Sequence, residues 1–342
     1  MMMRTFLPRT EGLKIIGANA VLTMKPEEVS KMMIERLGKD YEPLVCYHLN
    51  TDEEIMLSDS VSGKCRFCGK SVPDVTFNKV AHAIPHFIGN RTLKSTYECD
   101  DCNGNVFSPM ESQFSQFMSF YHTFAHVCKG GGAKIPKFRT NSSEKSCIVV
   151  TDNDIEVKCY EGEGLIPTID EENKTLKLTA YRSYVPQNVY KIFVKMALTI
   201  IPEEELNQFQ TTLKWLHGDL NIRANGLMLV ERRYMSLMNP FKFDSCMIFK
   251  RKASSTANVP AYVFGLAYYN FFFETYIPFC DADKKFQGQE ISMPYIPTPL
   301  DDAGIKSSIL KHNLSSDKKV FQEEVSITLQ AEQIEEIDVS KS

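Results

Sequence analysis

Apolar residues recur at helical spacing in the segment PQNVYKIFVKMALTII (186–201). They are Val189, Ile192, Phe193, Met196, Ala197 and Ile200. Pro202 and the three glutamates after it have the composition of a second helix start, and Gly218 is typical of a helix end. The pattern therefore predicts two consecutive helices, the first over 186–201 and the second from 202 to Leu216.

Alternating apolar and polar residues, the pattern of β-strands, lie on both sides of these helices. Residues 146–160 (SCIVVTDNDIEVKCY) alternate around an Asn-Asp pair and predict a hairpin. Further strand-like stretches occur at 226–234, 245–252, 261–276 and 319–329. Successive strands predict a mainly antiparallel sheet packed on the helices. The last residues, 332–342, are expected to be a frayed acidic end.

Composition changes this picture mainly by what it excludes. The chain has 342 residues, of which 43% are hydrophobic and 24% charged, as in a globular protein with room for two domains. The formal net charge is −4, so any site for a polyanion must be a local basic patch. No apolar run reaches the roughly 18 residues of a membrane-spanning helix, and the first residues lack a secretory apolar stretch. We therefore expect a cytoplasmic protein with no membrane partner.

The ten cysteines are expected to carry free thiols, because disulfides are rare in the cytoplasm. Four of them form two Cys-x-x-Cys pairs, Cys65 with Cys68 and Cys99 with Cys102. Each pair offers two thiolates to one ion, so both pairs together predict a tetrahedral, structural Zn²⁺ site. The alternative is that these cysteines are redox-active or unrelated. The scattered others are expected to be small buried hydrophobic residues.

The insert between the two pairs contains KVAHAIPHFIGN, in which His82 and His86 stand four residues apart. On a helix this spacing would turn both imidazoles toward one zinc ion, but Pro85 disfavours a helix there. We therefore predict a bent, non-helical segment in which one histidine has another task. After the second pair, Ser108 and Glu111 have the spacing of a capping box that begins a helix.

Together, the stretches CRFCG, VAHAIPHFIGN and YECDDCNGNVFSPMES resemble the HNH, or ββα-metal, endonuclease family of the type with four zinc cysteines. The resemblance covers about residues 63–122. It implies that His82, on a β-hairpin facing a helix, is the general base, and that Asn103 is a ligand of one divalent cation, Mg²⁺ or Mn²⁺. Neutral imidazole can accept a proton near physiological pH, and Mg²⁺ needs only one or two protein ligands besides water and phosphate. The resemblance therefore implies hydrolysis of phosphodiester bonds.

One position departs from the family pattern. Many HNH modules have an acidic residue or a histidine as a metal ligand just before the base, where this chain has Ala81. His86 is the nearest candidate to replace that ligand, and Asp100 and Asp101 are weaker ones. An imidazole ligand would favour Mn²⁺ or a transition metal over Mg²⁺. Asn90 either orients the base or is an ordinary turn residue of the Gly-Asn pair.

Basic residues near this segment are candidates for binding nucleic-acid phosphates. They are Arg91 and Lys94 after the turn, and Lys129, Lys134, Lys137 and Arg139 in a glycine-containing stretch predicted to be a hinge. Together they would form a phosphate-binding strip, and the alternative is that they are solvated charges on a linker. Arg232, Arg233 and the basic run 250–252 could extend the same surface.

The predicted fold is α+β, with a ββα-metal HNH nuclease module that carries a zinc knuckle pair, followed by an α+β C-terminal domain with a mainly antiparallel sheet. The expected divisions are an N-terminal leader region (1–60), the HNH module (61–128), a hinge and hairpin (129–180) and a C-terminal recognition or regulatory domain (181–342).

Three functions stay open on these grounds. The first is a metal-dependent endonuclease that cuts DNA under the control of the C-terminal domain, as the resemblance implies for restriction or anti-phage defence. The second is a zinc-stapled nucleic-acid-binding module that has lost cleavage, which Ala81 favours. The third is an RNA-directed nuclease. By the same resemblance we expect a homodimer and an activating ligand or partner protein.

Overall fold

Two antiparallel sheets and three α-helices make up most of the chain for which the computed structural model describes positions. The described residues are 2–8, 35, 37–49, 51–129, 132, 134–140, 146–151, 154–220, 228–235, 241–298 and 307–338. Gly130, Gly131 and Ala133 of the glycine-containing stretch therefore lie outside them. The mixture of helices and antiparallel sheets confirms the predicted α+β class.

The first sheet has seven strands. They are β1 (Met2–Pro8), β6 (Phe138–Arg139), β7 (Cys147–Val150), β8 (Ile155–Cys159), β9 (Leu165–Asp170), β10 (Thr175–Tyr184) and β16 (Val320–Asp338). Their order is β6-β7-β8-β1-β16-β10-β9 and every pair is antiparallel. The hairpin predicted around the Asn-Asp pair is confirmed as β7 and β8. The predicted frayed end is wrong up to Asp338, because β16 pairs first with β10 and then with β1.

The second sheet has six strands. They are β2 (Tyr41–His48), β11 (Leu229–Met235), β12 (Phe241–Arg251), β13 (Tyr262–Tyr269), β14 (Phe271–Tyr276) and β15 (Ser307–Asn313). Their order is β15-β11-β14-β13-β12-β2, again antiparallel throughout. The predicted single strand over 261–276 is instead a hairpin that turns at Asn270. The predicted division of the chain stays a prediction, but β2, from its first part, pairs with β12 of its last part.

Three helices pack between and beside the sheets: α1 (Ser108–Phe124), α2 (Pro186–Ile200) and α3 (Gln210–His217). The predicted helix over 186–201 is confirmed as α2, which is buried along almost its whole length. The predicted second helix begins as a 3₁₀ segment, Glu203–Phe209, and becomes α3, which ends at Gly218 in the left-handed conformation. α1 packs on α2 through Phe114 and Phe193, whose ring centroids lie 4.9 Å apart. No helix within the described ranges is long and apolar enough to cross a bilayer.

A buried histidine, His122, and a half-buried one, His312, make the stability of this core depend on pH. Burial, and secondarily the nearby Arg232 guanidinium, lowers the pKa of both His122 and His312 to about 3. An unfolded chain would bind their protons near pH 6.5, so the folded state loses stability as the pH falls below that value. Between pH 7.5 and 5.5 each histidine should cost about 1.4 kcal/mol.

His122→Gln tests this expectation, since glutamine can keep a hydrogen bond to the Tyr268 hydroxyl, which lies 2.9 Å from His122 Nε2. The free energy of unfolding in urea, measured at pH 7.5 and pH 5.5, should fall by about 1.4 kcal/mol less in the variant than in the wild type. An equal fall in both proteins would show that His122 accepts a proton in the folded state.

Candidate metal centre and active site

The four paired cysteines come together in the structure. Their Sγ atoms all lie within 4.8 Å of one another, with 3.8 Å between Cys65 and Cys102 and 3.9 Å between Cys68 and Cys99. Four Zn–S bonds of about 2.3 Å in a tetrahedron would place the sulfurs about 3.8 Å apart, so the cluster fits a Zn²⁺ ion. None of the ten cysteines is in a disulfide. Among the residues that the structure describes, no other group of three or more His, Cys, Asp or Glu side chains is close enough to share an ion.

The second cysteine pair leads directly into the long helix of the module. Residues Cys102–Phe107 form a π-helix that continues without a break into α1. Ser108 therefore has helical backbone angles and makes no capping hydrogen bond, so the predicted capping box is wrong. The helix begins earlier because the turn at the cysteine pair already sets its first residues, with the Asn103 N–H donating to Cys99 O at 3.0 Å.

A short hairpin carries the first candidate histidine. β4 (Ala81–His82) pairs with β5 (Leu93–Ser95), and β5 also pairs with β3 (Ile55–Leu57). As predicted, the connection between the two strands is not an α-helix. It is a bend with one 3₁₀ turn at His86–Ile88. Asn90 is fully buried and closes this connection, since its Nδ2 donates to Ile84 O at 2.7 Å and to Leu93 O at 2.9 Å. Asn90 is thus a loop-closing residue that supports the hairpin of His82.

His82 and His86 lie side by side, with ring centroids 5.1 Å apart and planes tilted by 44°. His82 is half-buried, and its buried Nδ1 has no hydrogen-bond partner among the described residues. Burial lowers the pKa of His82, and the positive charges of His86, Lys94 and Lys195 lower it further. Burial and the charge of Lys129 also lower the pKa of His86. Both rings are therefore neutral near pH 7, as a proton acceptor or a metal ligand must be.

A buried lysine from α2 lies beneath His82, and it is a residue that the sequence patterns missed. Lys195 Nζ donates to the His82 carbonyl oxygen at 3.1 Å and lies 2.9 Å from Glu98 Oε2, with both charged side chains almost completely buried. Burial raises the pKa of Glu98 and that of Glu111, and the Lys195 ammonium opposes both effects. Because Glu98 immediately precedes Cys99 of the cysteine cluster, Lys195 connects this cluster to the strand of His82. Its only signal in the sequence is a lysine within an apolar helix.

The first cysteine pair also binds α2. Arg66, between Cys65 and Cys68, donates from Nη1 to the carbonyl oxygens of Leu198, Thr199 and Ile201 at 2.8 to 3.0 Å. These carbonyls belong to the end of the helix, where backbone acceptors lack intrahelical partners. α2 is therefore joined to both cysteine pairs, to the first through Arg66 and to the second through Glu98.

The remaining candidate metal ligands differ in whether their side chains already accept hydrogen bonds from the protein. Asn103 is half-buried, and its side chain has no hydrogen-bond partner among the described residues. Asp100 accepts hydrogen bonds from Thr76 Oγ1 at 2.6 Å and from the backbone N–H groups of residues 78 and 79 at 3.0 and 2.9 Å. Asp101 accepts a hydrogen bond from Asn105 Nδ2 at 2.7 Å. Both aspartates thus stabilise the local structure. Asn103 and His86 are then the candidates whose side chains are available as metal ligands.

The predicted basic strip is found only in part. Arg91, Lys129 and Lys134 are exposed, as are Lys137 and Arg139. Lys94 stands opposite His82 on β5 and forms an ion pair with Glu54. The proposed extension is wrong: Arg232 and Arg233 are buried, and residues 250–252 bind Glu205, Asp283 and the Gly38 carbonyl. Strand alternation alone could not show that both faces of β11 are covered.

Comparison with known proteins agrees with this geometry. Residues 65–118 match the model of a family described as HNH endonuclease. Neither a curated protein nor a solved structure matches the chain. The matched segment begins at the first cysteine of the cluster, contains the hairpin of His82 and ends within α1. Residues 65–118 therefore match the HNH endonuclease family, and they contain the four clustered cysteines.

Proposed function

We propose that this chain is a metal-dependent endonuclease that hydrolyses phosphodiester bonds of DNA, with His82 as the general base. The observation that carries the proposal is the position of His82. It lies on the hairpin of a segment that matches the HNH endonuclease family, in contact with a second imidazole and half-buried. A neutral imidazole in that position can accept a proton from a water molecule that attacks phosphorus.

The other proposed roles rest on the chemistry of the candidate ligands and basic residues. His86 and Asn103 offer one nitrogen and one oxygen to a divalent cation, a set that suits Mn²⁺ better than Mg²⁺. A cation held there would supply positive charge to the phosphate oxygens as the leaving group departs. Arg91, Lys94, Lys129 and Lys134 would bind phosphates on either side of the cleaved bond.

One observation favours the second candidate, a nucleic-acid-binding module without cleavage. Ala81 is only 1% exposed, so the position that holds a metal ligand in many HNH modules is filled here by a methyl group facing the core. The module would then keep its zinc cluster and basic residues but bind no catalytic cation. DNA rather than RNA as substrate, a homodimer, an activating partner and a role in restriction or anti-phage defence stay predictions.

A cleavage assay separates these functions. Supercoiled plasmid is incubated with Mg²⁺ or Mn²⁺, and the rate of nicking and linearisation is followed on gels. His82→Ala should lower the rate by about 10²- to 10⁴-fold, the usual contribution of a general base. His48→Ala is the matched control, since His48 is also half-buried with a pKa lowered by burial but lies on β2, outside residues 65–118.

The result is interpretable only if both variants keep their zinc and unfold like the wild type. Equal rates for His82→Ala and the wild type would exclude His82 as the base. Wild-type protein that binds plasmid but cleaves neither DNA nor RNA with any cation would establish the binding module instead. Cleavage of RNA alone would correct the substrate and leave the role of His82 intact.

A further inference from the structure

Arg232, on β11, is a buried charge with no counterion among the residues that the structure describes. It is 3% exposed, and its Nε and Nη1 atoms have no hydrogen-bond partner among the described residues. Its guanidinium carbon lies 3.9 Å from the ring centroid of Tyr121, on α1. The next residue, Arg233, is equally buried but is paired with Glu274 at 2.7 Å and Glu231 at 2.9 Å. Charged side chains are rarely buried without a charged partner, and of these two neighbouring arginines only Arg233 has one among the described residues.

A second unpaired polar atom lies on the same face of the sheet. In the register of β11 and β15, Arg232 is opposite Leu310, and Val230 is opposite His312. Residues two apart on a strand face the same side, so His312 is the diagonal neighbour of Arg232. Its buried Nε2 has no hydrogen-bond partner in the described part of the chain, and its ring meets that of Phe117 edge-on at 5.0 Å.

A neighbouring arginine of the first sheet has a carboxylate partner. Arg182, on β10, also lies over the Tyr121 ring, at 5.7 Å from the centroid, and it forms an ion pair with Glu323. The charge of Arg232 also lies close to two histidines, since it adds to burial in lowering the pKa of His122 and of His312. Glu323 therefore serves the other arginine, Arg182, rather than Arg232.

The stacking contact with Tyr121 does not offset the cost of this burial. A cation over an aromatic ring contributes about 0.5–2 kcal/mol, whereas removing an unpaired ion from water costs several kcal/mol. We propose that Arg232 and His312 form a binding site for a small oxyanion, either free or as the terminal group of a small molecule. The planar guanidinium presents N–H donors in the geometry that oxyanions accept.

The contacts of Arg232 and His312 described above involve neither the cysteine cluster nor His82. Tyr121 and His312 are only half-buried, so they mark the side from which an anion would arrive. The anion would lie between β11 and β15 of the C-terminal sheet and α1, the helix of the HNH module. The inference does not depend on cleavage activity, and its test needs none.

Thermal unfolding tests the site. The full chain is unfolded in sodium chloride, phosphate, sulfate or acetate at one ionic strength and pH 7.5. At an anion concentration of 100 times the dissociation constant, we expect the wild-type Tm to lie about 4 °C above its value in chloride. Arg232→Met should lose this rise. In chloride its Tm should equal or exceed that of the wild type, because the substitution removes an unpaired buried charge.

Two results would overturn the proposal. One is a wild-type Tm that none of the three anions raises above its value in chloride. The other is an equal rise in Arg232→Met, which would place the bound anion elsewhere. The double variant Lys129→Met/Lys134→Met controls for binding at the exposed basic residues and should keep the full rise. Comparison of phosphate and sulfate with acetate shows whether a tetrahedral or a planar oxyanion is preferred.

Discussion

Cys99→Ser is expected to abolish zinc binding and to lower the free energy of unfolding by on the order of 5 kcal/mol or more. Cys99 is fully buried, and its sulfur is one of four that fit a single tetrahedral ion. A structural zinc site derives its folding energy from thiolates that have no comparable partner in the unfolded chain. Loss of one thiolate therefore removes stability that apolar packing cannot replace.

The effect should spread beyond the module because the cysteines belong to a shared core. Cys65, Cys99 and Cys102 pack in the same buried cluster as residues of α1, α2 and the six-stranded sheet. The rings of Phe67 and Phe107 meet edge-on beside them, with centroids 4.8 Å apart. Removal of the ion should thus expose α2 as well as the hairpin of His82, and hydrogen exchange in both should rise together.

Cys246→Ser provides the matched control, since Cys246 is also fully buried in that core but lies on β12, outside the cluster. It should cost about 1–3 kcal/mol for the buried hydroxyl and keep about one zinc per chain. Zinc is measured by elemental analysis of purified protein, and stability by urea unfolding with and without a chelator. Full zinc content in Cys99→Ser, or a folded wild type that contains no zinc, would refute the assignment of the cluster.

Local patterns in the sequence predicted the elements that depend on local causes. The spacing of apolar residues predicted α2 within one residue, and the Asn-Asp alternation predicted the β7–β8 hairpin. The spacing of the cysteines predicted a cluster, because two short pairs can meet at one ion in few ways. Pro85 correctly excluded a helix that would have turned both histidines toward zinc.

Features that depend on contacts between distant segments could not be predicted in this way. The helical angles of Ser108 follow from the turn at Cys99–Cys102, which a capping pattern does not contain. β16 continues to Asp338 because β1 lies beside it, more than 300 residues earlier in the chain. Arg232 and Arg233 looked like surface charges because a strand sequence does not tell whether one or both of its faces are covered.

The position of His82 on a hairpin could be predicted from the sequence, but the side chains that hold this hairpin could not. His82 stood out through its position between the cysteine pairs, whereas Glu98 and Lys195 are 97 residues apart and have no shared motif. A lysine in an apolar helix predicts only a partially exposed side chain. Its role becomes visible when the fold places its ammonium group between Glu98 and the carbonyl of His82.

Lys195→Met is accordingly expected to lower the free energy of unfolding by about 3–5 kcal/mol, because it leaves the carboxylate of Glu98 buried without its counterion. The double variant Glu98→Leu/Lys195→Met should recover most of that loss, since replacing both partners of a buried ion pair by apolar side chains is often neutral. Urea unfolding of the wild type, the single variant and the double variant measures both steps. No loss in the single variant would show that Glu98 is protonated in the folded protein.

If the proposed endonuclease activity holds, the same double variant tests whether Lys195 also positions the base. It restores the charge balance but cannot restore the N–H donor to the His82 carbonyl. We expect kcat to stay roughly 10- to 100-fold low, as for other small displacements of a catalytic group, with KM unchanged because Lys195 is buried away from substrate. Lys191→Met, one turn earlier on α2, also removes a buried ammonium, but one that lies over the Trp215 ring, and it should leave kcat unaltered. Recovery of both stability and kcat in the double variant would mean that Lys195 only neutralises Glu98.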